Sequence, residues 1–158
     1  MNIIKRVYVD GCAVDGLFNQ YAEQTRPFWS AVLNGELTIV VSDILEGEVE
    51  RAPKVVRDFF DSLPKEQIER VASTSESDSL AERYIAEKVV GPTSLDDCKH
   101  IALATLAHAD AIVSWNFRHI VNATRIRGYN SVNMKLGYTQ VDIRTPFEVI
   151  HDETCDEF

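Results

Sequence analysis

Apolar positions along this chain keep two rhythms that alternate from the N-terminus onward. Short β-branched runs such as "IIKRVYVD" (3–10) and "ELTIVVSD" (36–43) read as strands, the second continuous enough in Ile and Val to be buried on both faces. Between and after them lie stretches with apolar residues at helical spacing. "QTRPFWSAVLNGE" is one, closed by Asn34-Gly35. Asp43 and Glu46 form a D-x-x-E pattern that predicts a capped helix running to about Ala52. Pro53 then opens "PKVVRDFFDSL", which Pro64 ends.

The alternation continues to the C-terminus. "QIERVAST" reads as a third strand, and Ser73 with Glu76 predicts a capping box for the helix "SDSLAERYIAEKVV", stopped by Gly91-Pro92. "SLDDCKHIALATLAHA" is a long helix with Ser94 at its N-cap, leading into the strand "DAIVSWN". "FRHIVNATRIRGYN" reads as helical and "QVDIRT" as a late strand. Strands alternating with helices imply an α/β domain, a parallel sheet covered on both faces. In such sheets ligands bind beyond the carboxyl ends of the strands, so residues at those ends carry the chemical interest.

Composition narrows the classes. The chain has 158 residues, 45% hydrophobic and 26% charged, which suits one globular domain rather than a disordered chain. We expect a single domain over 1–151 and an acidic tail over 152–158. No apolar run approaches the roughly 20 residues that cross a membrane, and the N-terminus reads as a strand rather than a signal peptide. Cys12, Cys98 and Cys155 are an odd count without close spacing, which points to a reducing cytoplasm. Net charge is −8 over 1–115, +3 over 116–151 and −4 over 152–158, in all −9. That balance argues against a general nucleic-acid coat protein but leaves one basic segment.

Asp10 ends the first strand and Asn116 the fourth, Glu48 lies about one and a half turns into the helix after the second strand, and Asp97 lies in the first turn of the helix from Ser94. Position makes them candidates, and only the resemblance of the motifs around them singles them out as a set. Taken singly each has an ordinary reading. Asp10 before Gly11 is a common turn residue, and Glu48 sits in a run of acids that suits a solvated helix face. Asp97 falls where an S-x-x-D capping box from Ser94 would put it, and Asn116 reads as a loop residue. His100 and His108 lack a matching Cys/His set for zinc, so His100 reads as a packed or hydrogen-bonded histidine. No G-x-S-x-G, glycine-rich phosphate loop or dinucleotide fingerprint is present.

Taken together, "VYVDG", "VVSDILEGEVERA", "SLDDCKHIALATLAHADAIVSWNFRHI" and "RIRGYNSVN" resemble the PIN-domain family. The bacterial group related to VapC-type toxins of toxin–antitoxin pairs is the nearest in pattern, with S-W-N where many members carry a fourth acid. The resemblance runs from about residue 5 to about residue 150. It implies a three-layer α/β/α domain with a central parallel sheet. It also implies cleavage of RNA with Mg²⁺ or Mn²⁺ held by clustered acids, here Asp10, Glu48 and Asp97, with Asn116 in the fourth place. The hydroxyl that commonly follows the first acid is missing at Gly11 and Cys12, which removes a donor that would orient Asp10.

The expected reaction is metal-assisted hydrolysis of a phosphodiester bond, with Arg118, His119, Arg125 and Arg127 contacting the RNA backbone. A small antitoxin is expected over the acidic cleft, and a homodimer is consistent with the resemblance. The rival is a PIN fold that binds RNA or a protein without cutting. Cys12 and Cys98 each lie within two residues of an expected ligand, so oxidation there is expected to perturb the site.

Overall fold

A computed structural model of the chain describes residues 4–151. Its centre is a five-stranded sheet: β1 (Arg6–Val9), β2 (Thr38–Ser42), β3 (Ile68–Val71), β4 (Ala111–Val113) and β5 (Ile143–Arg144). The order across the sheet is β3-β2-β1-β4-β5, and every pair is parallel. β1 lies in the middle, with Val7 opposite Ile39 on one side and Val9 opposite Val113 on the other.

Successive side chains of a strand point to opposite faces, and the sheet therefore feeds two cores. Val7, Val9, Ile39, Val41 and Val113 go to one. It is completed by residues of α1 (Gly11–Asp15), α2 (Ala22–Leu33), α3 (Asp43–Glu50) and α4 (Lys54–Asp61). Tyr8, Val40 and Ile112 go to the other, against α5 (Ser75–Ala86), α6 (Leu95–Leu106) and α7 (Ala123–Lys135). The last helix, α8 (Pro146–His151), packs on α2. These are the three layers and the parallel sheet expected from the sequence. The acidic tail 152–158, with Cys155, lies outside the described residues. Among the described residues no helix is long and apolar enough to cross a membrane.

Several local expectations shift. α3 is capped by Ser42, whose Oγ accepts the Leu45 N–H at 3.1 Å. Asp43 is released for another task, accepting the N–H and O–H of Ser73 at 3.1 and 2.9 Å. Ser73 being so engaged, the capping box of α5 moves one residue on, to Thr74 and Ser77. Ser94 precedes α6 without a side-chain cap bond, which leaves Asp97 free of the capping role. The segment 117–122 is not helical. Asn122 caps α7, accepting from the N–H groups of Thr124 and Arg125. α1 and α8 were not expected at all.

Candidate functional site

β1 ends at Val9 and α1 begins at Gly11, with only Asp10 between them. Asp10 is the N-cap of α1: Oδ1 accepts the Ala13 N–H at 3.0 Å. Because Val9 and Val113 are register partners, Asp10 lies beside Ser114, whose hydroxyl donates to Asp10 Oδ2 at 2.6 Å. The hydroxyl missing at positions 11 and 12 is thus supplied across the sheet by Ser114. Asp10 is only 3% exposed. Burial pushes its carboxyl up to about 6, against the opposing pull of His100, Ser114 and the Ala13 N–H.

Gly11 has its own reason to lack a side chain. Its N–H donates to Glu48 Oε1 at 3.1 Å, and a Cβ built there would come within 2.8 Å of the same oxygen. A serine at 11 would push Glu48 aside. Glu48 reaches this place from the second turn of α3 and also accepts from His100 Nε2 at 3.0 and 3.1 Å. His100 projects from the same face of α6 as Asp97, three residues earlier. The ring is buried, and its Nδ1 meets Tyr8 Oη at 2.7 Å, which in turn meets Ser42 Oγ at 2.6 Å.

With a neutral ring every donor in this chain has an acceptor. The Leu45 N–H donates to Ser42 Oγ, the Ser42 hydroxyl to Tyr8, the Tyr8 hydroxyl to Nδ1, and Nε2–H to Glu48. Burial opposes charge on the ring, yet Glu48, Asp10 and Asp97 outweigh it and hold the pKa of His100 above the ordinary histidine value. The expected hydrogen-bonded histidine is therefore the residue that fixes Glu48.

Asp97 is half-buried, and burial raises its pKa against the pull of His100 and His119. Asn116 Nδ2 approaches Asp97 Oδ2 at 3.4 Å, while its Oδ1 accepts the N–H groups of Arg118 and His119 at 3.1 and 2.9 Å. Asn116 thus ties the loop after β4 to Asp97, and its own N–H donates to Ser114 Oγ at 2.9 Å.

Asp10, Glu48 and Asp97 open together onto a depression of about 290 Å³, lined also by Gly11, Cys12, Asp15 and Arg51. Asn116 touches Asp97 but does not itself line this depression. Asp15 was missed by the sequence reading because "GCAVDG" looks like a turn; as a short helix it brings Asp15 round to the pocket, where burial and Glu48 raise its pKa. Cys12 lines the pocket, with burial and then Asp10 raising its thiol pKa. Cys98 instead packs into the α5–α6–α7 core, its thiol pushed up to about 12 by burial. Of the basic candidates, Arg118 and Arg127 are exposed and His119 is partly buried. Arg125 donates to the Val89 carbonyl at 2.6 Å and braces α7 against the end of α5.

The donor set is all oxygen, concentrated and under-neutralised, which is the chemistry that hard divalent cations satisfy. Among the described residues, however, no three His, Cys, Asp or Glu side chains are gathered closely enough to chelate an ion as they stand. The cause is visible: Glu48 is turned to Gly11 and His100, and Asp10 to Ala13 and Ser114. These residues fit a cation that keeps several of its waters better than one stripped of them.

Two solved structures share the fold. VapBC2 from Rickettsia felis, solved bound to a DNA fragment from their promoter, superposes with a TM-score of 0.55 at 12% identity over 89% of this chain and 98% of that one. VapC20 of Mycobacterium tuberculosis, a toxin that cleaves the sarcin–ricin loop, gives a TM-score of 0.56 at 11% identity over 85% of this chain and 98% of that one. The architecture is thus VapC-like, a PIN-type fold. No protein-family model and no curated protein sequence matches the chain.

Proposed function

We propose that this chain is a metal-dependent endoribonuclease, the toxin of a toxin–antitoxin pair. The observation that carries the reading is the pocket at the carboxyl edge of the sheet, where Asp10, Asp15, Glu48 and Asp97 converge. Its support is the fold shared with a toxin that cleaves the sarcin–ricin loop.

In this reading Asp10 and Asp97 hold Mg²⁺ or Mn²⁺, with Glu48 as a further ligand or as the acceptor of a proton from water. When bound, the ion supplies charge stabilisation at the phosphate and activation of the attacking water. The protein's part is to aim its oxygens. Ser114 and the Ala13 N–H fix both oxygens of Asp10, and His100 with the Gly11 N–H fixes Glu48. Asn116 holds the loop against Asp97 without adding charge. In this reading exposed Arg118 and Arg127, with His119, meet the RNA backbone. Arg125 serves structure first. An antitoxin would act by covering the acidic pocket, and pairing into a homodimer belongs to the same reading.

The test is purified protein with a mixed RNA pool in Mg²⁺ or Mn²⁺, beside the Asp10→Asn variant. We expect cleavage by the first and a loss of about 10³-fold or more in the second. Equal cleavage by both would refute the role of Asp10. A non-catalytic RNA- or protein-binding module is favoured by one feature, the lack of a ready-made chelating trio among the described residues. Calorimetric titration with Mn²⁺ separates the two, since a module without a metal site gives no specific heat of binding.

A further inference from the structure

We propose that Tyr21, Trp115 and Phe117 form a stacking platform for a nucleobase of single-stranded RNA, next to the bond to be cut. The proposal rests on the ribonuclease reading above and adds to it a place for the substrate's base.

Residues 114–117 leave β4 and divide their side chains between two tasks. Ser114 and Asn116 reach the acids, Asp10 at 2.6 Å and Asp97 at 3.4 Å. Trp115 and Phe117, which alternate with them, join Tyr21. The rings of Tyr21 and Trp115 are parallel within 3° at 4.5 Å, and Phe117 leans against both, 6.2 Å from Tyr21 and 6.0 Å from Trp115. Neighbouring Cα atoms are about 3.8 Å apart, so platform and acids are no more than a few residues' width from each other.

The cluster is built, not incidental. Trp115 Nε1 donates to Thr25 Oγ1 at 2.8 Å, and the buried Thr25 hydroxyl donates to the Tyr21 carbonyl at 2.7 Å. Gly16 makes the room, since a Cβ there would lie 2.7 Å from the indole nitrogen. Phe117 sits at the head of a fixed turn. The following N–H groups of Arg118 and His119 are bound by Asn116 Oδ1, and Asn122 donates to the Phe117 carbonyl at 3.3 Å. Yet this ring, at the head of a hydrogen-bonded turn, is 47% exposed.

Electrostatics explains why an RNA enzyme would need such a ring. The pocket is lined by four carboxylates, and the chain carries a net charge of −9, so phosphates are repelled until a cation is present. Part of the affinity for a polyanion then has to come from a contact indifferent to charge, beside what exposed arginines supply. Stacking of an unpaired base on an aromatic face is such a contact, and it tolerates any base because every base has a π-face. Exposed Arg118, beside Phe117, complements the phosphate that follows the stacked base.

The test is fluorescence anisotropy with a short fluorescein-labelled single-stranded RNA of mixed sequence in Mg²⁺, the protein carrying Asp10→Asn so that the RNA stays intact. Adding Phe117→Ala or Phe117→Leu is expected to weaken binding by about 5- to 100-fold, the range that one stacked base represents. Phe117→Tyr, which keeps a ring, should bind within about two-fold of the parent. An abasic nucleotide walked along the RNA should lower affinity at one position for the parent and not for Phe117→Ala. Unchanged affinity in Phe117→Ala and Phe117→Leu overturns the platform and leaves the ring to a protein partner. Equal weakening by Phe117→Tyr and Phe117→Ala also overturns it, because the ring is then only structural. Cleavage by the unmutated chain is scored separately. Cleavage without any Phe117 dependence of binding sinks the platform and keeps the nuclease; ring-dependent binding without cleavage keeps the platform and sinks the nuclease. Neither binding nor cleavage sinks both.

Discussion

The two ends of β1 treat their charges in opposite ways. At its start Arg6 pairs with Glu69 and donates to the carbonyls of Ala107 and His108 at 3.0 and 3.1 Å. Nearby Asp110 accepts the N–H groups of Lys5 and Arg6, both at 2.9 Å. Arg6, Glu69 and Asp110 each have partners there, and Glu69 raises the pKa of Arg6 despite the cost of burial. Just past the other end, Asp10, Asp15 and Asp97 have no Lys or Arg salt bridge among the described residues. Burial holds all three carboxyls above their ordinary value. One end of the strand is neutralised for stability, and the other is kept short of positive charge at a cost in stability. Such a shortage is what a cation from solution would fill.

If that contrast is right, His100 matters most, because it is the buried group that can offset the acids from within. His100→Ala takes the ring nitrogen from the Tyr8 hydroxyl, leaving it only Ser42 Oγ as a partner, frees Glu48 and opens a cavity. We expect a loss of about 2–4 kcal/mol, a drop of roughly 6–12 °C in Tm. His100→Gln, which can still reach Glu48, should lose less. Thermal melts in EDTA decide this, and an unchanged Tm for His100→Ala would mean the chain from Ser42 to Glu48 does no holding. The next effect is the complement from outside. Mn²⁺ at 100 times its Kd should stabilise the unmutated chain by about 2.7 kcal/mol, or roughly 5–10 °C. Asp10→Asn should lose most of that gain. Equal protection of both proteins would place the cation elsewhere.

The sequence made the sheet readable because strands buried on both faces must be continuous in Val and Ile, as in "TIVVS". Asp10, Glu48 and Asp97 are nameable as a set only through the resemblance of the motifs around them to a known family, since each has an ordinary reading by itself. What it hid were partners made by register. Ser114 belongs to Asp10 only because β4 lies beside β1, and nothing in the spacing of 104 residues announces that. α1 was hidden for a related reason. Five residues beginning with glycine read as a turn, and the helix depends on Asp10 as cap and on Trp29 Nε1 donating to the Ala13 carbonyl at 3.0 Å. The caps of α3 and α5 slipped by one residue because Asp43, Ser73, Thr74 and Ser77 are all competent, and the tertiary bond between Asp43 and Ser73 decides among them.

Asp10 itself gives a test with a pH axis. Its folded value, about 6, lies above the ordinary 3.8, so the fold favours the protonated acid. That contribution is fully present below about pH 4 and is lost as pH rises through about 6. The ceiling on the cost at neutral pH is about 3 kcal/mol, at 1.36 kcal/mol per ten-fold. Asparagine cannot ionise, so Asp10→Asn should be more stable than the parent by about 2 kcal/mol at pH 8 in EDTA, with the gap shrinking toward pH 4. A variant that is less stable at pH 8, or a gap that does not change with pH, would contradict a strained acid here.

The smallest effect closes the contrast from the neutralised end. Arg6→Ala removes a half-exposed ion pair, worth at most about 1 kcal/mol, and the donors to two carbonyls after α6. Those carbonyls keep access to water, because the side chains around them are partly exposed, so little is added for leaving them unmatched. The expected loss is about 1 kcal/mol, some 2–4 °C in Tm, opposite in sign to Asp10→Asn at the same pH. Raising the salt to 1 M shortens the screening length to about 3 Å and should shrink the part due to Glu69, while the carbonyl bonds persist. The double variant Arg6→Ala with Asp10→Asn should then melt near the sum of the two, since the two residues stand at opposite ends of the strand. If Arg6→Ala proved neutral or stabilising, the two ends of β1 would not differ in the way their charges suggest, and the acids' lack of partners would lose its significance as a mark of function.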